Sequence, residues 1–172
     1  MPLAVLDAFI AGDLPRARGL TDYAVPDEFP GQVLKVLELR RMQLAADPAL
    51  APWSARAIVR REDRVMVGYV NFHGPPGVND IEAPGAAELG WSVFATERRR
   101  GYATEAARRL MDWARDEHGV RRFISSTTPD NAPSLRVHDK LGFRRTGQVV
   151  DGEIIFELRS WRGGRSAQSE QH

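Results

Sequence analysis

The sequence predicts a mixed α/β domain in which helices flank a central, twisted and mostly antiparallel sheet. The first observation behind this prediction is a set of short runs with strand-like alternation, separated by turn residues. The second is a strong amphipathic helix between two of these runs, which predicts one parallel strand–helix–strand unit with a right-handed crossover. The third is a closing pair of runs joined by Asp151-Gly152, a dipeptide typical of hairpin turns.

The first third of the chain, residues 1–52, shows helical periodicity. The residues that predict a first helix are Leu3, Leu6 and Ile10. The pattern breaks over residues 12–15, and turn-forming residues dominate residues 19–30. The apolar residues of a second helix, which ends near Asp47-Pro48, are Val33, Leu37 and Leu44. These helices could cover the core or wall a substrate cleft, and the sequence leaves both open.

Beyond Trp53 the chain alternates strands and helices. The predicted strands span residues 55–60, 64–72, 87–94, 123–127, 143–150 and 153–159. The clearest helix runs from Ala103 to His118, and a shorter helix capped by Asn131 runs to Leu141. We expect residues 1–162 to form one domain and the polar residues 163–172 to form a flexible tail.

Composition excludes several function classes. The 24 Lys and Arg residues balance 23 Asp and Glu residues, for a formal charge of +1, which argues against a nucleic-acid partner. Without cysteine the chain has no disulfide and no thiolate zinc site, and its 4 histidines lack metal-ligand spacing, so no metal is expected. A basic leader and a bilayer-length apolar run are both missing, so we expect a cytoplasmic protein with no membrane partner.

The stretch from Arg98 to Ala106 is the most informative for function. It joins a strand end to the first turn of the strongest helix, where backbone N–H groups lack intrahelical partners and lie at the positive end of the helix dipole. Gly101 and Ala103 would let a phosphate approach these groups, and the arginines would add positive charge. The alternative is an ordinary basic turn that contains a glycine.

Two motifs in this order resemble those of the GCN5-related N-acetyltransferases. The first is R-x-x-G-x-A at residues 98–103, and the second is N-x-x-S at 131–134 with K-L-G-F at 140–143. The resemblance covers about residues 53–159 and implies the fold of that family. The sequence G-Y-A-T-E-A, which begins at residue 101, resembles the corresponding segment in the branch of the family that acetylates ribosomal-protein N-termini. Two departures are Arg99, where the family often has glycine, and an opening strand that is not evident before Trp53.

The resemblance implies acetyl-coenzyme A as co-substrate and an amine as acceptor. Backbone amides from Arg99 to Thr104 would hold the pyrophosphate, and the Val93 backbone would pair with the pantetheine arm. Asn131 would hydrogen-bond that arm, although a helix N-cap also explains this residue and the two roles can coexist. The implied cofactor-binding residues are Val93, Arg98, Arg99, Arg100, Gly101, Tyr102, Ala103, Thr104, Asn131 and Ser134.

Two residues are candidates for proton transfer. Glu88 resembles the family's strand glutamate and would accept a proton from the amine, directly or through a water. Burial would raise the pKa of Glu88 towards neutrality, whereas a solvent-facing strand residue is the alternative. His138 stands where many relatives carry the tyrosine that protonates the departing thiolate, although a histidine on a helix is more often structural.

The implied function is acetyl transfer from acetyl-CoA to a primary amine by direct attack in a ternary complex. A protein N-terminus is preferred as acceptor over a small amine, and this preference rests only on the resemblance to the ribosomal-protein branch of the family. A cationic acceptor would need acidic walls, for which the chain offers Asp22, Asp27, Glu28, Asp80 and Glu82. The alternative function is a non-catalytic acyl-CoA-binding sensor or regulatory module. The oligomeric state is left open, a homodimer included.

Overall fold

The computed structural model describes residues 1–27 and 33–162. The helices are α1 (Leu3–Ile10), α2 (Leu14–Gly19), α3 (Leu34–Ala46), α4 (Tyr102–His118) and α5 (Ala132–Leu141). The strands are β1 (Arg56–Val59), β2 (Met66–Phe72), β3 (Ala87–Val93), β4 (Phe123–Thr127), β5 (Arg144–Val150) and β6 (Glu153–Leu158). All six strands and the helices α1, α3, α4 and α5 lie close to their predicted bounds. The predicted tail and part of the predicted turn region, residues 28–30, fall outside the described residues.

Helix α2 lies where the sequence predicted a break. Pro15 falls in the first turn of this helix, where a proline's missing N–H breaks no intrahelical hydrogen bond. The Asp13 carboxylate accepts a hydrogen bond from the Arg16 N–H at 3.0 Å and so caps the helix. The same residues that end one helix therefore begin the next.

The sheet has six strands in the order β1-β2-β3-β4-β6-β5. Every neighbouring pair is antiparallel except β3 and β4, which are parallel and are connected through α4. This arrangement confirms the predicted mixed sheet with one parallel strand–helix–strand unit.

The parallel pair β3–β4 is short, and this shapes the centre of the sheet. Only Ala87 with Phe123 and Glu88 with Ile124 are paired between these strands. Beyond Glu88, β3 continues alongside β2, while β4 continues alongside β6. The two strands therefore separate after Glu88, and a seam opens between them in the middle of the sheet.

Helices cover both faces of the sheet. On one face, α4 and α5 pack on a core that includes Phe72, Leu89 and Phe123. On the other face, α1 and α3 pack on a core that includes Phe9, Leu37 and Tyr69. Because side chains alternate along a strand, Glu88 and Gly90 lie on the α1/α3 face, opposite to Leu89.

The N-terminal third contributes almost nothing to the sheet. Among the described residues before Trp53, only Ala24 makes a β-bridge, which is parallel and pairs with Val65. Helices α1 and α3 pack against each other in this region and cover the core on their face of the sheet, which is one of the two roles that the sequence left open. No helix within the described ranges is long and apolar enough to cross a membrane.

Candidate active site

The turn that leads from β3 into α4 carries an uncapped helix end. Gly101 is the N-cap residue in the left-handed conformation, with φ at 86°, and Arg99 is also left-handed, with φ at 66°. No side chain caps α4, whereas Asp13 caps α2 and Asn131 caps α5. The first N–H groups of α4 therefore remain available to an anion outside the chain.

The basic residues of this turn are partly engaged within the protein. The Nε atom of Arg98 donates a hydrogen bond to the Val93 carbonyl at 3.2 Å. Arg100 lies 3.5 Å from Glu97, which in turn lies 2.7 Å from Arg60. The Val93 carbonyl, whose backbone was expected to pair with a ligand arm, thus already accepts one hydrogen bond from Arg98.

The second motif begins helix α5. The Oδ1 atom of Asn131 accepts a hydrogen bond from the Ser134 N–H at 3.2 Å, which is the N-cap contact that the sequence suggests. Asn131 is exposed and Ser134 is half-buried. The cap occupies Oδ1 as a hydrogen-bond acceptor, while the amide nitrogen of Asn131 belongs to an exposed side chain.

Glu88 lies at the point where β3 and β4 separate, and it is fully buried. Its Oε2 atom accepts a hydrogen bond from the Asp80 N–H at 2.7 Å, while Oε1 is buried with no hydrogen-bond partner in the described part of the chain. Burial raises the pKa of Glu88, and the nearby His73 and the Asp80 N–H oppose this shift. Of the two readings that the sequence allowed, the buried carboxylate is the one found.

His73 and Asp80 complete a polar cluster with Glu88 that the sequence analysis did not assemble. The Nδ1 atom of His73 lies 3.6 Å from Asp80 Oδ1 and 3.6 Å from Glu88 Oε2. The neighbouring His73 lowers the pKa of Asp80. Arg40 of α3 is buried and donates to the His73 carbonyl at 3.0 Å, which ties the end of β2 to the helix layer.

His138 lies on the opposite face of the sheet from Glu88, among aromatic side chains. It is fully buried, and its ring stacks on Phe156 at 4.1 Å between ring centroids. Its Nδ1 atom donates to the Ser134 carbonyl at 2.9 Å, and its Nε2 atom accepts from the Ser125 hydroxyl at 3.0 Å. Burial lowers the pKa of His138 to about 4, so the imidazole is neutral at pH 7. This placement does not suit the expected general acid, because both nitrogens are engaged and the charged form is disfavoured.

Two of the acidic residues that could wall a cleft for a cationic acceptor are engaged elsewhere in the described part of the chain. Asp22 pairs with Arg64 and Asp27 pairs with Arg18, so a neighbouring guanidinium already balances each of these charges. Glu28 lies outside the described residues. Of this set, Asp80 is the residue that the structure brings to Glu88.

A family model described as the acetyltransferase (GNAT) domain matches residues 16–144 of this chain. The chain belongs to the GNAT acetyltransferase family. The matched region of this GNAT chain includes Glu88, the turn before α4 and the Asn131 cap, so both sequence motifs lie within it. The resemblance on which the sequence analysis relied is therefore confirmed at the level of the family.

Known proteins similar to this GNAT chain include curated relatives and solved structures. An uncharacterised N-acetyltransferase of Bacillus subtilis, YnaD, is 30% identical over 90 residues, which is 52% of this chain and 49% of the relative. The chain spans about half the length of the curated relatives that match it first. The YncA protein of Salmonella typhimurium, solved with its cofactor acetyl-CoA, has a TM-score of 0.58 and 22% identity, covering 97% of this chain and 95% of that chain.

A ribosomal-protein acetyltransferase also shares the fold. The ribosomal-protein-S5-alanine acetyltransferase of Vibrio fischeri has a TM-score of 0.58 and 15% identity, covering 94% of this chain and 89% of that chain. The Vibrio fischeri protein belongs to the branch that the sequence around Gly101 resembles. At 15% identity, the comparison shows a shared fold and nothing further.

Proposed function

We propose that this protein transfers the acetyl group of acetyl-CoA to a primary amine, by direct attack within a ternary complex. The observation that carries the proposal is that two features stand on β3 and on the helix that follows it in the chain. One is the uncapped, glycine-initiated end of α4, and the other is the buried carboxylate of Glu88. The first suits an anionic cofactor, and the second suits proton transfer beside it.

The cofactor's diphosphate would bind to the backbone amides of residues 99–104. The positive end of the α4 dipole and the exposed side chains of Arg98, Arg99 and Arg100 would add attraction for its charge. The pantetheine arm would lie in the seam near Val93, and the Asn131 amide group would donate a hydrogen bond to it. The Asn131 cap contact supports this role, because the cap uses the oxygen and leaves the nitrogen as the donor.

Transfer requires a neutral amine, because an alkylammonium ion has no lone pair to attack the thioester. Glu88 would receive the proton that the amine loses. Its buried position raises its pKa towards the range in which a base works at neutral pH. The departing thiolate of coenzyme A would take a proton from solvent, since a thiol has an ordinary pKa of about 8.5 and the neutral His138 is a poor acid.

The acceptor class follows from the family branch and from the charge of the site. The resemblance to ribosomal-protein acetyltransferases favours a protein N-terminus, with a small primary amine as the second choice. The carboxylates of Asp80 and Glu88 would attract an ammonium group in either case.

The test is thiol release from acetyl-CoA with a panel of amines. The panel contains a peptide with a free N-terminal alanine, a polyamine, an aminoglycoside and a free amino acid. The proposal requires amine-dependent release of coenzyme A with at least one of them, and calorimetric binding of coenzyme A. Binding without release on any acceptor class would instead support the sensor function, and no binding would refute the cofactor assignment.

A further inference from the structure

On the α1/α3 face of the sheet, the missing side chain of Gly90 leaves space between β2 and β3. Asn71 pairs with Gly90 across these strands, and the His73 N–H donates to the Glu88 carbonyl at 2.8 Å. Since paired residues point to the same face, the side chains of Asn71, His73 and Glu88 surround the position that Gly90 leaves empty. A Cβ atom on Gly90 would lie 3.6 Å from Asn71 Oδ1 and 3.9 Å from His73 Nε2.

The two ring nitrogens of His73 face different surroundings. The Nδ1 atom is equidistant, at 3.6 Å, from the carboxylate oxygens of Asp80 and Glu88. The Nε2 atom lies towards the space above Gly90. Two carboxylates beside Nδ1 favour a proton on that nitrogen, which leaves the lone pair of Nε2 directed to the open space.

We propose that His73 takes the proton from the acceptor amine and delivers one to Glu88, which deepens the proposed function and rests on it. As the amine nitrogen bonds to the thioester carbon, its N–H bond breaks and the proton passes to Nε2. The Nδ1–H proton passes to Oε2 of Glu88, so the imidazole is neutral again and the carboxylate becomes a carboxylic acid. The C–S bond breaks as the tetrahedral intermediate collapses, the thiolate takes a proton from water, and the hydroxide left behind is neutralised by the proton that Glu88 returns through His73.

Burial explains why Glu88 needs an intermediary. The Glu88 side chain has no exposed surface, whereas that of His73 is 27% exposed and that of Asp80 is 44% exposed. A buried carboxylate cannot touch an acceptor that enters from solvent, but an imidazole between the carboxylate and the entrance can. Arg40 and Gln43 of α3 both donate hydrogen bonds to the His73 carbonyl, at 3.0 and 3.1 Å, and so hold the main chain of His73 in place.

The experiment compares His73→Gln and His73→Ala with His118→Gln, which removes an exposed imidazole that contacts Trp53 and Trp113 at a tilted and an edge-on angle, away from the cluster. We expect His73→Gln to lower kcat about 100-fold and to leave the KM for acetyl-CoA within about twofold. We expect added imidazole to restore part of the activity of His73→Ala, because a free imidazole can occupy the vacated space. The His118→Gln variant should keep the activity of the unaltered protein.

Outcomes that overturn the proposal are distinct from failure of acetyl transfer itself. If the unaltered protein transfers acetyl groups and His73→Gln keeps its kcat, or imidazole rescues nothing, then His73 does not carry the proton. His73, Asp80 and Glu88 also place ligand atoms within 4.8 Å of one another, as a divalent cation would require. Loss of activity on treatment with a chelator, with recovery on addition of zinc, would make His73 a metal ligand and would equally overturn the relay. If the unaltered protein releases no coenzyme A with any amine, the proposed function fails instead.

Discussion

Replacement of Gly101 by glutamate tests whether the end of α4 binds the cofactor. Gly101 has φ at 86°, and nothing lies within 4 Å of the position that a Cβ atom would take. The new side chain therefore meets no steric obstacle, and its folding cost is the left-handed conformation, about 1–2 kcal/mol. A carboxylate about 5 Å from a bound phosphate adds about 1–3 kcal/mol of repulsion at effective dielectric constants between those of water and a protein surface.

The matched control is Gly119→Glu, at the other end of the same helix. Gly119 is also left-handed, with φ at 69°, and also has an open surrounding, so the conformational cost is similar. We expect Gly101→Glu to weaken coenzyme A binding roughly 5- to 150-fold, and Gly119→Glu to leave it unchanged. Both variants should melt at a lower temperature, Gly119→Glu more so because a negative charge is unfavourable at a helix C-terminus.

Isothermal titration calorimetry with coenzyme A measures the first effect, and a thermal melt measures the second. Equal affinity for coenzyme A in Gly101→Glu and the unaltered protein would refute the assignment of the phosphate site. An equal loss of affinity in both variants would attribute the effect to helix stability rather than to the phosphate site.

Three further changes separate the roles proposed for single residues. Glu88→Gln should lower turnover about 100-fold without altering coenzyme A affinity. It should also raise the melting temperature at pH 7, because burial raises the pKa of Glu88 and the ionised form loses stability as pH rises above its ordinary value of 4.5. Asn131→Asp keeps the oxygen that caps α5 but loses the amide N–H donor. The KM for acetyl-CoA should therefore rise several-fold, while the melting temperature stays unchanged. His138 has its pKa lowered from 6.5 to about 4, so stability is full above pH 6.5 and falls by about 3 kcal/mol as pH drops to 4. Urea unfolding of His138→Phe should lack this slope, and an identical slope would show that another group is responsible.

The glycine turn before α4, which we propose binds the cofactor, could be predicted as a structural element because its signals are local. The apolar stripe of α4, the glycine before this helix and the Asn131 cap of α5 are each defined by residues that lie close together in the sequence. Local signals also fixed the strand bounds, since period-two alternation needs no knowledge of strand partners. They failed at α2, where Gly12 and Pro15 are compatible with a helix start as well as a stop.

The cluster of His73, Asp80 and Glu88, to which we assign proton transfer, could not be predicted in this way. His73 lies next to Glu88 because of the register in which β2 pairs with β3. The loop of residues 74–86 connects these strands, and its sequence does not determine that register. The signal that was available is alternation along β2, which places Asn71 and His73 on the same face as Tyr69. The burial of His138 likewise depends on how α5 packs against the sheet. The tyrosine that relatives carry at this position gives no information about that packing.

The separation of β3 and β4 has a consequence for how this protein behaves in a crowded cell. Each of these strands has a stretch of main chain with no strand paired to it on the side of the seam, and such unpaired edges elsewhere recruit foreign strands and promote aggregation. Here the two unpaired edges face each other inside the sheet, and the Arg98 guanidinium donates a hydrogen bond to the Val93 carbonyl. A neighbouring protein cannot reach this backbone side-on as it could at an outer edge, so the fold can leave main-chain groups unpaired without offering a template for polymerisation.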